Sequence, residues 1–482
     1  MSQTVPPSAD SPEYLFSQRQ TASLTFTSLV SDEYMLDQDN IPTAPLPAVP
    51  YVSPRARGKP AQQKHRSPRF MGVLVIILLL ALMGTGFGSL LIHANDFPMN
   101  APAPPPVFGQ LHFLSSNQLS ENSSQGICDE VEINLYHLAP PASGKRFYAW
   151  LLHDSGQSDA NDMLLGSLSV NHGGTAHLFY PGDAAHTNLL AEMSRFLVTE
   201  EDAAVTPINP SPDVSTWRYV GAFAQQTAVD ASPGTPQFSY LDHVRHLLAS
   251  DPLLDELELP GGLITWLYRN TGKELEWSMS LRDHWEESKD VGFVRRQTAR
   301  ILAYLDGISY VQQDLPLDTS LTVNERLARI GLLTVQGSTQ DPPAYLEHIV
   351  FHLYGLIQTS NSPGSLRKPI SEIITALSDV QLWLEQMRTA ARQLLQMSDA
   401  QLMQPATLVL LNAMIDNATH AYTGQTDPIT GMRHEGVTWI HDVIQAVAVL
   451  DVTAYTGNSS SIQMIQDTHH TTALSTLDED TP

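Results

Sequence analysis

Apolar residues follow three different rules along this chain. Between Phe70 and Ile92 they form 23 residues without a charge, enough for one helix to cross about 30 Å of hydrocarbon. From about residue 128 to 225 the runs are short, alternating or rich in β-branched and aromatic residues, and broken by turn residues. They are Val131–Leu138, Arg146–His153, Leu164–Val170, Thr175–Tyr180, Arg195–Thr199 and Trp217–Phe223, each reading as a strand. His172-Gly173-Gly174 lies between two of them and predicts a hairpin turn. Strands without intervening helices predict an antiparallel β-sandwich. From Phe238 to about Asp451 a period of 3.6 takes over, in Phe238–Ala249, Gly262–Arg269, Phe293–Leu305, Val323–Leu333, Ala344–Gln358, Pro369–Met397, Ala406–Tyr422 and Val437–Leu450. This predicts an all-α helical bundle of six to eight helices.

The segments between these blocks complete the expected organisation. Residues 1–69 are rich in Pro, Ser, Thr and Gln and predict a disordered arm, because such a composition cannot offset ordering entropy with a core. Within it, Leu29–Leu36 is the one cluster of apolar and acidic residues, a segment that could fold on a partner protein. After the transmembrane helix at 70–92, residues 93–127 read as a Pro-rich spacer. The β-sandwich domain spans 128–225, a linker 226–237, the helical bundle 238–455 and a disordered tail 456–482.

Charge orients the anchor. Arg55, Arg57, Lys59, Lys64, Arg66 and Arg69 crowd its N-terminal side, whereas the next basic residue after it is Lys145. The N-terminus is therefore expected in the cytoplasm and the C-terminal region outside, in a single-pass membrane protein. A GxxxG pair, Gly84 and Gly88, would let two such helices approach as a homodimer. The chain carries a net charge of −25, which argues against nucleic acid as a partner. Its single cysteine, Cys128, excludes an internal disulfide and a cysteine-based zinc site, so any metal would need His and carboxylate ligands.

The β block resembles the extracytoplasmic domain of the anti-sigma-K factor family of bacterial membrane regulators. The likeness rests on Tyr148-Ala-Trp150-Leu151, Leu165-Gly166-Ser167-Leu168 with Val170, Gly173-Gly174, Asn188-Leu189-Leu190, Val198-Thr199-Glu200, and Pro207, Pro210 and Gly221. It implies a single span joining an outer β domain to a cytoplasmic region that holds a sigma factor. The family's cytoplasmic module carries HxxxCxxC, whereas residues 1–69 contain no cysteine and only His65. Any such partner would thus be held by the arm itself.

Histidines are the residues whose spacing suggests chemistry. His243 and His246 are three apart and His348 and His352 four apart, so each pair shares a helical face, as in bundle metal sites. Asp242 and Glu347 lie one residue off that face. On a helical wheel, however, Leu241, Val244, Leu247 and Leu248 define the first apolar stripe, and both its histidines fall roughly 100° or more from the centre. His348 and His352 likewise lie opposite Leu346, Leu353 and Ile357, and His420 faces away from Leu411, Ile415 and Ala418. The wheel places these rings on solvated faces, with a four-histidine metal site at 243, 246, 348 and 352 as the alternative. Tyr240-Leu-Asp-His243-Val and Tyr345-Leu-Glu-His348-Ile share an order short enough to recur by chance. Asp427–Gly431 reads as a turn rather than a cation loop. Without HExxH, Walker, GxSxG or GxGxxG motifs, neither catalysis nor a cofactor is expected. The chain thus reads as a membrane-anchored extracytoplasmic sensing or interaction protein, which the resemblance would make an anti-sigma-factor-like regulator; the alternative is a tethered extracytoplasmic helical metal-binding protein or metalloenzyme.

Overall fold

The computed structural model describes residues 105–116, 121–155, 162–225, 238–313, 315, 321–335, 340–359 and 364–457. All belong to the compact unit Pro102–Pro482. The anchor at 70–92, the arm with Leu29–Leu36, the Gly84/Gly88 pair, the 226–237 linker and the tail beyond 457 lie outside the described residues. Among the described residues no helix is long and apolar enough to cross a membrane.

Eight strands form one antiparallel sheet: β1 (Val107–Leu114), β2 (Glu130–Leu135), β3 (Lys145–His153), β4 (Met163–Leu168), β5 (Ala176–Tyr180), β6 (Met193–Asp202), β7 (Trp217–Ala222) and, after the helices, β10 (Val449–Ala454). The order is β4-β3-β6-β7-β10-β1-β2-β5. The two edges meet without a ladder, since a Cβ at Gly166 of β4 would stand 3.4 Å from Leu178 of β5, so the sheet is a nearly closed barrel. In β2 the alternation is strict, with Val131, Ile133 and Leu135 inward and polar neighbours outward. β3 is apolar on both faces because a second cluster covers its outer side: Tyr148, Trp150 and Leu152 pack with Leu197 and Val220. The Trp150 indole N–H donates to Thr199 Oγ1 at 2.8 Å, which satisfies the one polar atom buried with it.

The helices of five or more residues are α1 (Tyr240–Leu248), α2 (Pro252–Glu256), α3 (Leu263–Ser288), α4 (Val291–Asp306), α5 (Tyr345–Gln358), α6 (Arg367–Gln396), α7 (Thr407–Thr423) and α8 (Val437–Val443). A two-residue ladder, β8 (Gln425–Thr426) with β9 (Arg433–His434), follows α7. α1 opens with a capping box: Ser239 Oγ accepts from Asp242 N at 3.1 Å and Asp242 Oδ2 from Ser239 N at 2.7 Å. Helices and barrel share one continuous apolar core, from Leu111 and Phe113 in β1 through Leu267 in α3 to Leu411 in α7.

The expected fold class of a transmembrane helix, a β-sandwich and then an all-α bundle is therefore corrected. There are not two stacked sheets but one nearly closed sheet, and the helices are an insertion between its strands β7 and β10. β1 arises from what read as Pro-rich spacer, and β10 from the end of what read as bundle. His172-Gly173-Gly174 makes a turn in which Asn171 Oδ1 accepts from Gly173 N and Thr175 N, yet it joins the two sheet edges rather than a hairpin, because β4 pairs with β3 and β5 with β2. Val323–Leu333 is not helical. Its backbone is used elsewhere: Leu332 N and Leu333 N donate to Tyr304 O and Leu305 O at 2.9 and 2.8 Å, supplying partners for the carbonyls that end α4.

Candidate metal centre

Four histidines from two helices distant in sequence converge. α1 is buried on both sides, with Leu241, Val244, Leu247 and Leu248 but also His243 and His246 withdrawn from solvent. The wheel expectation failed because it assumes a single buried stripe. One side of α1 faces the barrel, where Arg245 reaches Asp154 through two bonds of 2.7 and 2.8 Å and the Leu190 carbonyl at 2.8 Å. The other side meets α5, on which Tyr345, Ile349, His352 and Leu356 recur at helical spacing in the buried face. His352 is 0% exposed, and the His348 side chain retains only 12%.

The carboxylate in the cluster is neither Asp242 nor Glu347 but Asp251. Asp242 is spent in the capping box, and Glu347 accepts from Thr334 Oγ1 at 2.6 Å. Asp251 caps α2, its Oδ1 accepting from Leu253 N and Leu254 N at 3.0 and 3.3 Å, with Pro252 at the first helical position. The cap turns its other oxygen, Oδ2, to His246 Nδ1 at 3.7 Å and His348 Nε2 at 3.9 Å. His246 Nδ1 is 3.3 Å from His352 Nε2. One ligating atom from each of His246, Asp251 and His352 lies within 4.8 Å of the others. A tetrahedral zinc with bonds of about 2.05 Å places its ligand atoms about 3.3 Å apart; the 3.3 and 3.7 Å separations at His246 match this, and Asp251 and His352, within 4.8 Å of each other, would close on a small divalent cation by up to about 1.5 Å.

Electrostatics favour the same occupant. Burial, reinforced by the neighbouring imidazoles, lowers His352 to about 2; burial lowers His348 and His243 to about 4. His246 is also lowered by burial against the pull of Asp251, and burial raises the Asp251 carboxyl. The rings are thus neutral and their lone pairs free to ligate. Four neutral imidazoles beside one carboxylate offer lone pairs without positive charge, which a cation complements. Phe238 closes the site with its ring 5.6, 5.0 and 5.4 Å from those of His243, His246 and His352.

His420 is not part of this group; it packs beside Trp383 at 5.7 Å. Asp427 makes a turn, its Oδ1 accepting from Ile429 N and Thr430 N at 2.7 and 2.9 Å. Asp251 was not singled out from the sequence, although Asp-Pro after a helical run is a helix-start signal. The Tyr-Leu-acid-His order does mark corresponding places, since Tyr240 and Tyr345 open α1 and α5. No family model, curated protein or solved structure matches this chain, so a functional reading rests on this geometry.

Proposed function

We propose that the chain is a membrane-tethered extracytoplasmic metal-binding protein, with a zinc-class cation held by His246, Asp251 and His352 and closed by His348. The observation that carries this reading is that one ligating atom from each of His246, Asp251 and His352 lies within 4.8 Å of the others in a buried site. Imidazole nitrogens with one carboxylate suit zinc better than magnesium or calcium, which prefer oxygen ligands. A fourth protein ligand and the Phe238 roof suit a cation that is held, as a structural or sensing centre, rather than one that turns over substrate. Tethering comes from the 70–92 run in the lipid bilayer and its basic flank.

Zinc titration of the full chain in detergent tests the reading. One zinc per chain is expected, with stabilisation of about 2.7 kcal/mol at a hundredfold excess over Kd, and neither in His352→Ala. A chain that takes up no zinc and whose melting temperature is unmoved by it would overturn the reading.

A second reading, an envelope regulator whose residues 1–69 grip a cytoplasmic protein such as a sigma factor, draws support from one observation. Some residues of the anti-sigma-K resemblance fall on strands that pair directly, Tyr148 with Thr199 and Ala149 with Val198 and Gly166. A pull-down on residues 1–69 separates the readings: a sigma factor retained by the arm, and lost when Leu29, Val30, Tyr34 and Met35 become Ala, supports the second.

A further inference from the structure

Resting on the reading of the cluster as a metal centre, we infer that His243 is a positioning residue rather than a ligand, holding His352 in the tautomer whose Nε2 lone pair meets the cation. His352 has a different partner on each nitrogen: Nε2 is 3.3 Å from His246 Nδ1, on the side of Asp251, and Nδ1 is 2.8 Å from His243 Nδ1. A neutral imidazole carries one proton. When Nε2 gives its lone pair to a metal, the proton sits on Nδ1, where at 0% exposure it needs an acceptor inside the protein. His243 Nδ1 is that acceptor. The two nitrogens of one ring point apart, so a group bonded to His352 Nδ1 stands away from a cation seated on Nε2. This is the outer-shell contact that fixes a ligating histidine's orientation, here supplied by a second imidazole instead of a carboxylate or carbonyl.

The place for the His243 ring is made by a glycine. A Cβ at Gly355, one turn after His352 on α5, would collide with His243 Cε1, Nε2 and Nδ1. The ring is further held by Phe238 at 5.6 Å and Phe351 at 6.2 Å. Alanine at 355 is therefore expected to displace His243 first, since the three atoms nearest to the added Cβ all belong to its ring.

The test uses the full chain in detergent, with zinc affinity read by competition against a chromogenic chelator and the number of bound imidazoles by X-ray absorption at the zinc edge. His243→Ala is expected to weaken zinc by about 10- to 100-fold with the imidazole number unchanged. His243→Gln, whose amide oxygen can accept from His352 Nδ1, is expected to recover part of the loss. Gly355→Ala is expected to reproduce the loss without altering any polar atom. A His243→Ala chain that binds one imidazole fewer would make His243 a ligand, and unchanged affinity would remove its positioning role; either outcome overturns the inference while the metal reading stands. A wild-type chain that takes up no zinc overturns both.

Discussion

The Tyr240 hydroxyl donates to the carbonyl of Val447 at 3.2 Å, fastening the start of α1 to the turn that delivers β10. Its ring stacks on Phe223 at 6.0 Å, and Phe223 in turn on Phe113 of β1 at 6.0 Å. Helical insertion and barrel are thereby joined at the point where the sheet is completed. Tyr240→Phe keeps the stack and is expected to cost about 1 kcal/mol of unfolding free energy. Ending the chain after residue 446 removes the strand shared by β1 and β7 and is expected to abolish a cooperative urea transition followed by circular dichroism. A truncated chain with the wild-type midpoint and slope would show that β10 is dispensable.

On the proposed metal centre, Asp251 would have two separable roles, one per oxygen. In Asp251→Asn the amide oxygen still accepts from the Leu253 and Leu254 amides, so the metal-free protein is expected to change by only about 0.3 kcal/mol. The anionic ligand is gone, and zinc affinity is expected to fall by at least about tenfold. Calorimetric zinc titration beside a thermal melt in chelator measures both; equal affinity in the two proteins would remove Asp251 from the centre.

Glu274 on α3 is fully buried, and neither carboxyl oxygen has a hydrogen-bond partner among the described residues. Burial, and then the nearby Asp306, raise its pKa well above the ordinary value. The folded state therefore holds a proton that the unfolded chain releases above about pH 4.3. Stability is lost as pH rises from the unfolded value to the folded one, by up to about 1.4 kcal/mol per pH unit. Glu274→Gln has no such proton, so the variant should gain on wild type between pH 5 and pH 8. Urea midpoints at the two pH values report it, and parallel behaviour would refute the assignment.

The proposed membrane topology has its own assay. Alkaline phosphatase fused after residue 100 is expected to be active and the same reporter fused at residue 60 inactive, from the six basic residues that precede the run. The reverse pattern would invert the orientation.

Much of the strand content was legible in the sequence, because a strand with one wet face writes its alternation directly, as in Val131, Ile133 and Leu135. β1 was hidden by the prolines before it, and β10 by the helical period of Val437–Val443 running into it. Val323–Leu333 has helical apolar spacing, but Gly331 packs so closely on Asp306 and Gly307 that a Cβ there would overlap their backbone, and tertiary contact overrides the local pattern. The histidine pairs were visible as spacing, while their burial was not. A wheel cannot show that α1 is enclosed by the barrel on one side and α5 on the other. Asp251 is not legible from spacing, because it lies outside α1 and the cap of α2 is what turns its Oδ2 to His246.

The place of β10 in the sheet also sets the order in which the protein can be finished. A chain that emerges N-terminus first makes β1 and β7 long before their common neighbour, since the whole helical insertion lies between Ala222 and Val449. At synthesis rates of about 5–20 residues per second, the gap stays open for roughly ten to fifty seconds. Throughout that interval the edges of β1 and β7 that β10 covers have no partner from β10, and unpaired strand edges are prone to capture by another chain. Maturation of this protein therefore contains a waiting period, and any factor that shields open strand edges during synthesis would act on it then.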